Sequence, residues 1–243
     1  YPHLLEIVQY IKKRKPSVVI TISTNAHFMG YWERMEPLLP YLDNVQFSVD
    51  GVGEVYETIR PHTDFLQISS NIEKTIQAAS HVQYMLNFVI SDKNYLDMQN
   101  VLEFAHTKGI AFVNFNCMSI ASMPNKSRKY YDFFKSEEFQ AACEQVEKCA
   151  RKYVNMEVTG MQYPEQGQFK DCIFPWSYPY ITWDGYYVPC CGKPFPKLLN
   201  FGNVFSDGGV MKVLNSKKAQ AFRRQWQANH APSFCHNCQL VDF

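Results

Sequence analysis

Residues 172–191 read CIFPWSYPYITWDGYYVPCC, and residues 235–238 follow later with Cys-His-Asn-Cys. Tyr180-Ile181-Thr182-Trp183 and Tyr186-Tyr187-Val188 are β-formers on either side of Asp184-Gly185, which predicts a hairpin. Pro189 would stop the second strand just before Cys190. Twelve residues separate Cys172 from Gly185 and four separate Gly185 from Cys190. Two thiols bracketing a strand-turn-strand, with Cys235-x2-Cys238 beyond, can converge into one tetrahedral set of four sulfurs. Such a set holds zinc or an iron–sulfur cluster, and the residues alone do not choose between them. Cys191 is the rival of Cys190 as the fourth ligand; the spacing from Gly185 favours Cys190.

Composition supports metal over disulfides. The chain has eight cysteines, five of them in its last third, and Cys190 and Cys191 are adjacent, a spacing at which cysteines seldom pair with each other. At 243 residues, 46% hydrophobic and 15% aromatic, a core forms without staples. Cys117, Cys143 and Cys149 lack ligand spacing and read as small core or helix residues. Lys and Arg (24) balance Asp and Glu (23), so no basic field draws in nucleic acid or an anionic membrane. No apolar run reaches the roughly 18–20 residues of a membrane helix and no leader opens the chain, so a soluble, cytoplasmic protein is expected. The chain opens on Tyr1-Pro2-His3 without a methionine, which reads as a fragment.

Upstream of the cysteines the pattern alternates. Helices are predicted over 4–15, 31–41 (interrupted at Pro37), 64–80 and 95–107, the last closed by Lys108-Gly109. Strands are predicted over 17–23, a β-branched run of the kind buried in a parallel sheet, and over 44–49, 82–90 and 110–118. This alternation points to a parallel α/β sheet, whose ligands collect at the carboxyl ends of the strands. Those ends carry Ser23-Thr24-Asn25, Ser48-Val49-Asp50, Ser91-Asp92-Lys93-Asn94 and Cys117-Met118. A long helix over 131–153, a short strand over 155–159 and a linker over 160–168 lead into the cysteine-rich part. A helix over 216–227 follows, and its Arg223 and Arg224 read as a solvated basic face.

With these residues in place, the chain resembles a radical S-adenosylmethionine (SAM) enzyme with a C-terminal Twitch or SPASM-type domain. The resemblance spans nearly the whole chain. Its most specific part is Cys172-x12-Gly185-x4-Cys190, followed by Gly202-Asn203-Val204, the helix with Arg223, and Cys235-x2-Cys238. It implies a partial (β/α)6 barrel of TIM-like type over 1–165, lacking its first strand and cluster loop, and a small β-hairpin and helix domain over 166–243. It also implies that Cys172, Cys190, Cys235 and Cys238 ligate an auxiliary [4Fe-4S] cluster.

Ile22-Ser23-Thr24-Asn25-Ala26 and Phe47-Ser48-Val49-Asp50-Gly51 look like that family's second- and third-strand motifs. By this resemblance Ser48 and Arg60 hold the methionine carboxylate of SAM, since a guanidinium fork grips a carboxylate by two bonds. Thr24, Asn25 and Asp50 lie by the same ligand and Met118 by its adenine. The family's Cys-x3-Cys-x2-Cys loop occurs nowhere in the sequence. The resemblance therefore expects that loop, with a second [4Fe-4S] cluster, upstream of residue 1.

The implied activity is that of an oxidoreductase or maturase in which a 5′-deoxyadenosyl radical abstracts hydrogen from a substrate C–H while the auxiliary cluster moves an electron. The implied partners are a small-molecule or peptide substrate and a one-electron reductant such as flavodoxin or ferredoxin. The opposing reading is a non-catalytic, zinc-binding α/β adaptor. His27, His62 and His106 have no metal spacing, and no general acid or base stands out.

Overall fold

Five parallel strands adjoin one another in their order along the chain, β1 (Thr21–Thr24), β2 (Asn44–Ser48), β3 (Gln83–Ile90), β4 (Phe112–Cys117) and β5 (Glu157–Gly160). This is the architecture of a computed structural model that describes residues 2–118, 132–161, 172–228, 230 and 232–235. The helices are α1 (Leu4–Arg14), α2 (Tyr31–Met35), α3 (Glu54–Ile59), α4 (Phe65–Ala78), α5 (Met98–Thr107) and α6 (Glu137–Ala150). They alternate with the strands, as parallel pairing requires. Contacts divide the chain into two compact units, 1–118 with 132–163, and 119–131 with 164–243.

Side-chain period sets the faces of the first unit. Along β3, Tyr84, Leu86, Phe88 and Ile90 are buried while Gln83, Met85, Asn87 and Val89 take the other side. The buried face continues through Val45 and Phe47 on β2 and Val113 and Phe115 on β4. The helices bring apolar stripes of their own. Phe65, Ile68, Ile72 and Thr75 recur at helical spacing on α4, whose N-terminus is capped by Asp64 accepting from Gln67 N at 3.1 Å. Phe139, Ala142, Cys143 and Val146 do the same on α6 behind Ser136.

Two expectations need correction. The run 17–23 is not a doubly buried strand: β1 begins at Thr21, its residues alternate between exposed and half-buried, and Val19 is 65% exposed. The β-branched run signals a strand, but β1 pairs on one side only, with β2. The helix expected over 31–41 ends at Met35, and Pro40 sits in a separate 3-10 turn, Leu39–Tyr41. Helix α3 stands where the sequence suggested no element, after Asp50-Gly51-Val52-Gly53.

In the second unit, α7 (Phe174–Ser177) precedes a two-stranded hairpin of β6 (Tyr180–Ile181) and β7 (Tyr187–Val188), registered Tyr180 to Val188 and Ile181 to Tyr187. Its loop is five residues rather than two, and Thr182 Oγ accepts from Tyr186 N at 3.0 Å inside it. The Gly202-Asn203-Val204 stretch lies along the hairpin. Tyr187 N donates to Gly202 O at 3.0 Å and Val204 N to Gly185 O at 2.8 Å. Helices α8 (Val210–Leu214) and α9 (Lys217–Gln227) follow, and Val213, Ala219, Phe222 and Trp226 close a core with Tyr187 and Phe201. Among the described residues no helix is long and apolar enough to cross a membrane.

Candidate functional site

Parallel strands in sequential order put every carboxyl end of the first unit on one sheet edge. Thr24 closes β1 opposite Phe47, Ser48 closes β2 opposite Asn87, and Cys117 closes β4 opposite Ile90. Of the expected SAM-binding residues, Thr24, Asn25, Ser48, Asp50 and Met118 thus share that edge. Thr24 Oγ accepts from Ala26 N at 3.0 Å and Asn25 Oδ1 from His27 N at 3.2 Å, which shapes the loop after β1. Met118 N donates to Ile90 O at 2.9 Å.

Arg60 joins the edge through Asp50. Its Nε donates to Asp50 Oδ2 at 2.7 Å and its Nη2 stands 2.6 Å from the same oxygen, while Val89 N donates to Oδ1 at 2.8 Å. Asp50 is buried and Arg60 half-buried, so the pair is fixed yet its guanidinium reaches the surface. A guanidinium has five N–H donors, and Asp50 engages Nε and Nη2. Beside it, the hydroxyl of fully buried Tyr56 has no hydrogen-bond partner among the described residues, and its ring lies 5.8 Å from the Arg60 guanidinium carbon. Burial pushes the Tyr56 pKa up, which keeps the hydroxyl protonated.

The sequence did not single out what holds this edge. Asn94 donates to Asp50 O at 2.9 Å and to Val89 O at 3.0 Å, while its Oδ1 accepts from Ser91 N at 2.7 Å. Asp97 accepts from Val52 N at 2.6 Å. The available signal was Ser91-Asp92-Lys93-Asn94, read as a strand exit; sheet order turns it into a clasp between neighbouring strand exits.

On the sheet face opposite the core, uncharged side chains bond across all five strands. Ser23 donates to Gln46 Oε1 at 2.8 Å, Asn87 to the same oxygen at 3.2 Å, Asn114 to Asn87 at 3.3 Å and Thr159 to Asn114 at 3.0 Å. The row offers amides and hydroxyls.

In the second unit, Cys172 and Cys235 pack against the same core of Tyr187, Phe222 and Trp226. Cys190 follows β7 and Pro189, as the hairpin predicted, and its Sγ would lie 3.8 Å from a β-carbon on Gly192. One residue on, Lys193 is buried and its Nζ donates to Phe234 O at 2.5 Å. That bond ties the loop bearing Cys190 to the turn bearing Cys235. Cys238 lies outside the described residues, and among the described residues no three His, Cys, Asp or Glu side chains gather closely enough to hold a metal ion. Cys191 is exposed.

Arg223 departs from the solvated reading. Its Nη2 donates to Leu214 O at 2.7 Å, and its charge opposes the upward push that burial gives the Tyr187 pKa. Of the aromatics near the hairpin, Tyr187 is core while Tyr178, Tyr180 and Trp183 are exposed.

Residues 172–239 match the family of SPASM iron–sulfur cluster-binding domains. No curated protein matches the chain by sequence. Among solved structures, SuiB of Streptococcus suis bound to S-adenosylmethionine superposes with a TM-score of 0.65 at 14% identity, over 98% of this chain and 56% of SuiB. SuiB bound to its precursor peptide SuiA gives 0.63 at the same identity and coverage. The native anSMEcpe with bound AdoMet gives 0.57 at 14% identity, over 98% of this chain and 69% of that one. The chain thus spans a little over half the length of SuiB. Residues 172–239 thus match a SPASM iron–sulfur cluster-binding domain, and the chain as a whole shares the fold of SuiB and anSMEcpe.

Proposed function

We propose that this chain supplies the SAM-holding β/α unit and the auxiliary-cluster unit of an enzyme that removes hydrogen from a substrate C–H. The observation that carries this reading is the guanidinium of Arg60, oriented by Asp50 at the carboxyl end of β2. Ser48 and Arg60 hold the methionine carboxylate, Asp50 aims the arginine, Thr24 and Asn25 border the ligand, and Met118 meets the adenine. SAM, when bound and reduced, supplies the carbon radical that abstracts the hydrogen.

Cys172, Cys190, Cys235 and Cys238 hold a [4Fe-4S] cluster, an assignment that rests on their all-thiolate chemistry and the domain match. A cluster with four thiolates has no open coordination position, so its chemistry is transfer of one electron. The reaction requires a second [4Fe-4S] cluster, whose Cys-x3-Cys-x2-Cys loop does not occur in this sequence, and a flavodoxin- or ferredoxin-type protein to supply the reducing electron. The substrate is a peptide that lies along the uncharged row from Ser23 to Thr159. The relatives SuiB and anSMEcpe have both been solved with peptides.

The test is iron and sulfide analysis of the intact protein purified without oxygen. Cys235→Ala is expected to lose about four irons and four sulfides per chain, keep SAM cleavage and abolish product. One zinc and no sulfide at this site would overturn the cluster assignment, and unchanged product in Cys235→Ala would overturn its electron-transfer role.

A further inference from the structure

Asn94 is 2% exposed, and every hydrogen-bonding position of its side chain is filled. Its Nδ2 donates to Asp50 O at 2.9 Å and to Val89 O at 3.0 Å, and its Oδ1 accepts from Ser91 N at 2.7 Å and Ser91 Oγ at 2.9 Å. The orientation of the amide is forced, since a backbone carbonyl can only accept and a backbone N–H can only donate. Aspartate in its place would turn an oxygen toward two carbonyls, and leucine would leave them unpaired. The two residues it holds are themselves joined, because Val89 N donates to Asp50 Oδ1 at 2.8 Å. Asn94 therefore spans both ends of the bond that fixes the Asp50 carboxylate, whose other oxygen takes Arg60 Nε at 2.7 Å. Past Asp50 the chain turns tightly into α3: a β-carbon on Gly51 would meet Val55 Cγ1 at 2.7 Å and Tyr56 N at 2.9 Å. Asp97 holds the same turn by accepting from Val52 N at 2.6 Å.

We propose that Asn94 is a positioning residue for SAM: by bracing Asp50 against the exit of β3, it sets where the Arg60 guanidinium points. The proposal rests on the reading that Arg60 holds the SAM carboxylate. A binding group has to be kept within about 0.5 Å of its productive place, and a half-buried arginine has too many rotamers to keep itself there. Asp50 restricts the arginine, and Asn94 restricts Asp50. Asn94 itself touches no ligand.

The test is a double-mutant cycle on SAM affinity, measured by isothermal titration on the intact protein purified without oxygen. Asn94→Asp keeps the size and the acceptor but loses both donors. It is expected to weaken SAM about fivefold in the wild-type background and less than about 1.5-fold beside Arg60→Ala, because a residue that acts through Arg60 then has nothing to act on. Ser91→Ala, which removes one bond to Asn94 Oδ1, is the milder variant should Asn94→Asp not fold. It is expected to weaken SAM about twofold, with the same dependence on Arg60. Tyr84→Phe deletes buried bonds to Thr75 O and Ala79 O near the start of β3, and is expected to lower Tm while leaving SAM affinity alone. Unchanged affinity in the Asn94 and Ser91 variants, equal weakening with and without Arg60, or the same loss in Tyr84→Phe would make Asn94 a structural residue only and overturn the role. A wild-type protein that binds no SAM would overturn the Arg60 reading itself, and this proposal with it.

Discussion

Asp50 and Arg60 are joined through one carboxylate oxygen, which takes Nε at 2.7 Å and faces Nη2 at 2.6 Å. Because Asp50 is buried and its other oxygen accepts from Val89 N, the carboxylate is a fixed post and the guanidinium the movable part. Arg60→Ala is expected to weaken SAM binding by about 1.5–3 kcal/mol, the worth of a hydrogen bond to a charged group, with little change in Tm. Asp50→Asn is expected to do the reverse, lowering stability by about 2 kcal/mol and SAM affinity less. Isothermal titration and thermal melts of the two variants separate these outcomes; equal SAM affinity in Arg60→Ala would remove Arg60 from the site.

Tyr56 tests whether the same edge receives a ligand. Its buried hydroxyl lacks a partner among the described residues, so Tyr56→Phe removes a group that bears its desolvation cost without return. Without ligand, the variant is expected to be as stable as wild type or more so. If SAM supplies the missing partner, the stabilisation that SAM confers in a thermal melt is expected to shrink in Tyr56→Phe. A variant clearly less stable without ligand would show that the hydroxyl already has a protein partner.

The fold was legible where period and punctuation agree. The strand over 83–90 and the helix over 216–227 were expected close to the bounds they take, whereas α6 begins at Glu137 behind a Ser136 cap, inside the run expected as one helix over 131–153. Helix α3 was not legible, since Asp50-Gly51-Val52-Gly53 has the composition of a turn and only the packing of Tyr56 selects a helix after it. Arg60 and Asp50, ten residues apart, came from resemblance; their bond depends on the bend that α3 makes. Asn94 and Lys193 went unnoticed because their partners, Asp50 O and Phe234 O, are backbone atoms about forty residues away. A carbonyl leaves no residue-type signature.

Gly185 was read as the hairpin glycine, and its φ of +91° bears this out. The tighter constraint is spatial: a β-carbon there would meet the Phe205 ring at 2.4 Å and Asn203 Oδ1 at 2.8 Å. Asn203 is already committed, donating to Asp184 O at 2.8 Å and accepting from Phe205 N at 2.9 Å. Gly185→Ala is therefore expected to cost about 1–3 kcal/mol and to lower iron retention through the hairpin that carries Cys190. Iron content per folded chain is the measurement, and wild-type retention would show that the loop shifts freely.

Burial raises the Cys117 pKa to about 12, with the Cys143 thiol adding to it, and that of Cys143 to about 11, with Glu147 adding to it. Both side chains are therefore neutral thiols at pH 8, and the thiolate is the reactive form. Iodoacetamide at pH 8 is expected to label exposed Cys191 and spare both in the native protein, as read by peptide mass spectrometry. Unfolding lets the two ionise near their ordinary value of 9.0, so the unfolded chain binds fewer protons above that pH. Stability is accordingly full below about pH 9 and falls as pH rises toward 11–12. Native labelling of Cys117 as fast as Cys191 would contradict its burial.

Asn114 sits mid-row on the polar face, donating to Asn87 and accepting from Thr159. Asn114→Val is close in size but cannot hydrogen-bond, so it severs the row while leaving the buried side of β4, Val113 and Phe115, untouched. A half-exposed hydrogen-bond pair is worth about 1 kcal/mol, and the fold is expected to survive. If the peptide substrate borrows its backbone partners from this row, the variant is expected to lose tenfold or more in kcat/KM while binding SAM within about twofold of wild type. On the proposed function SAM affinity depends on the strand ends and turnover on the face between them, so the two readouts separate a disturbed sheet from a lost substrate contact. A parallel fall in both would mean that Asn114 supports the sheet alone.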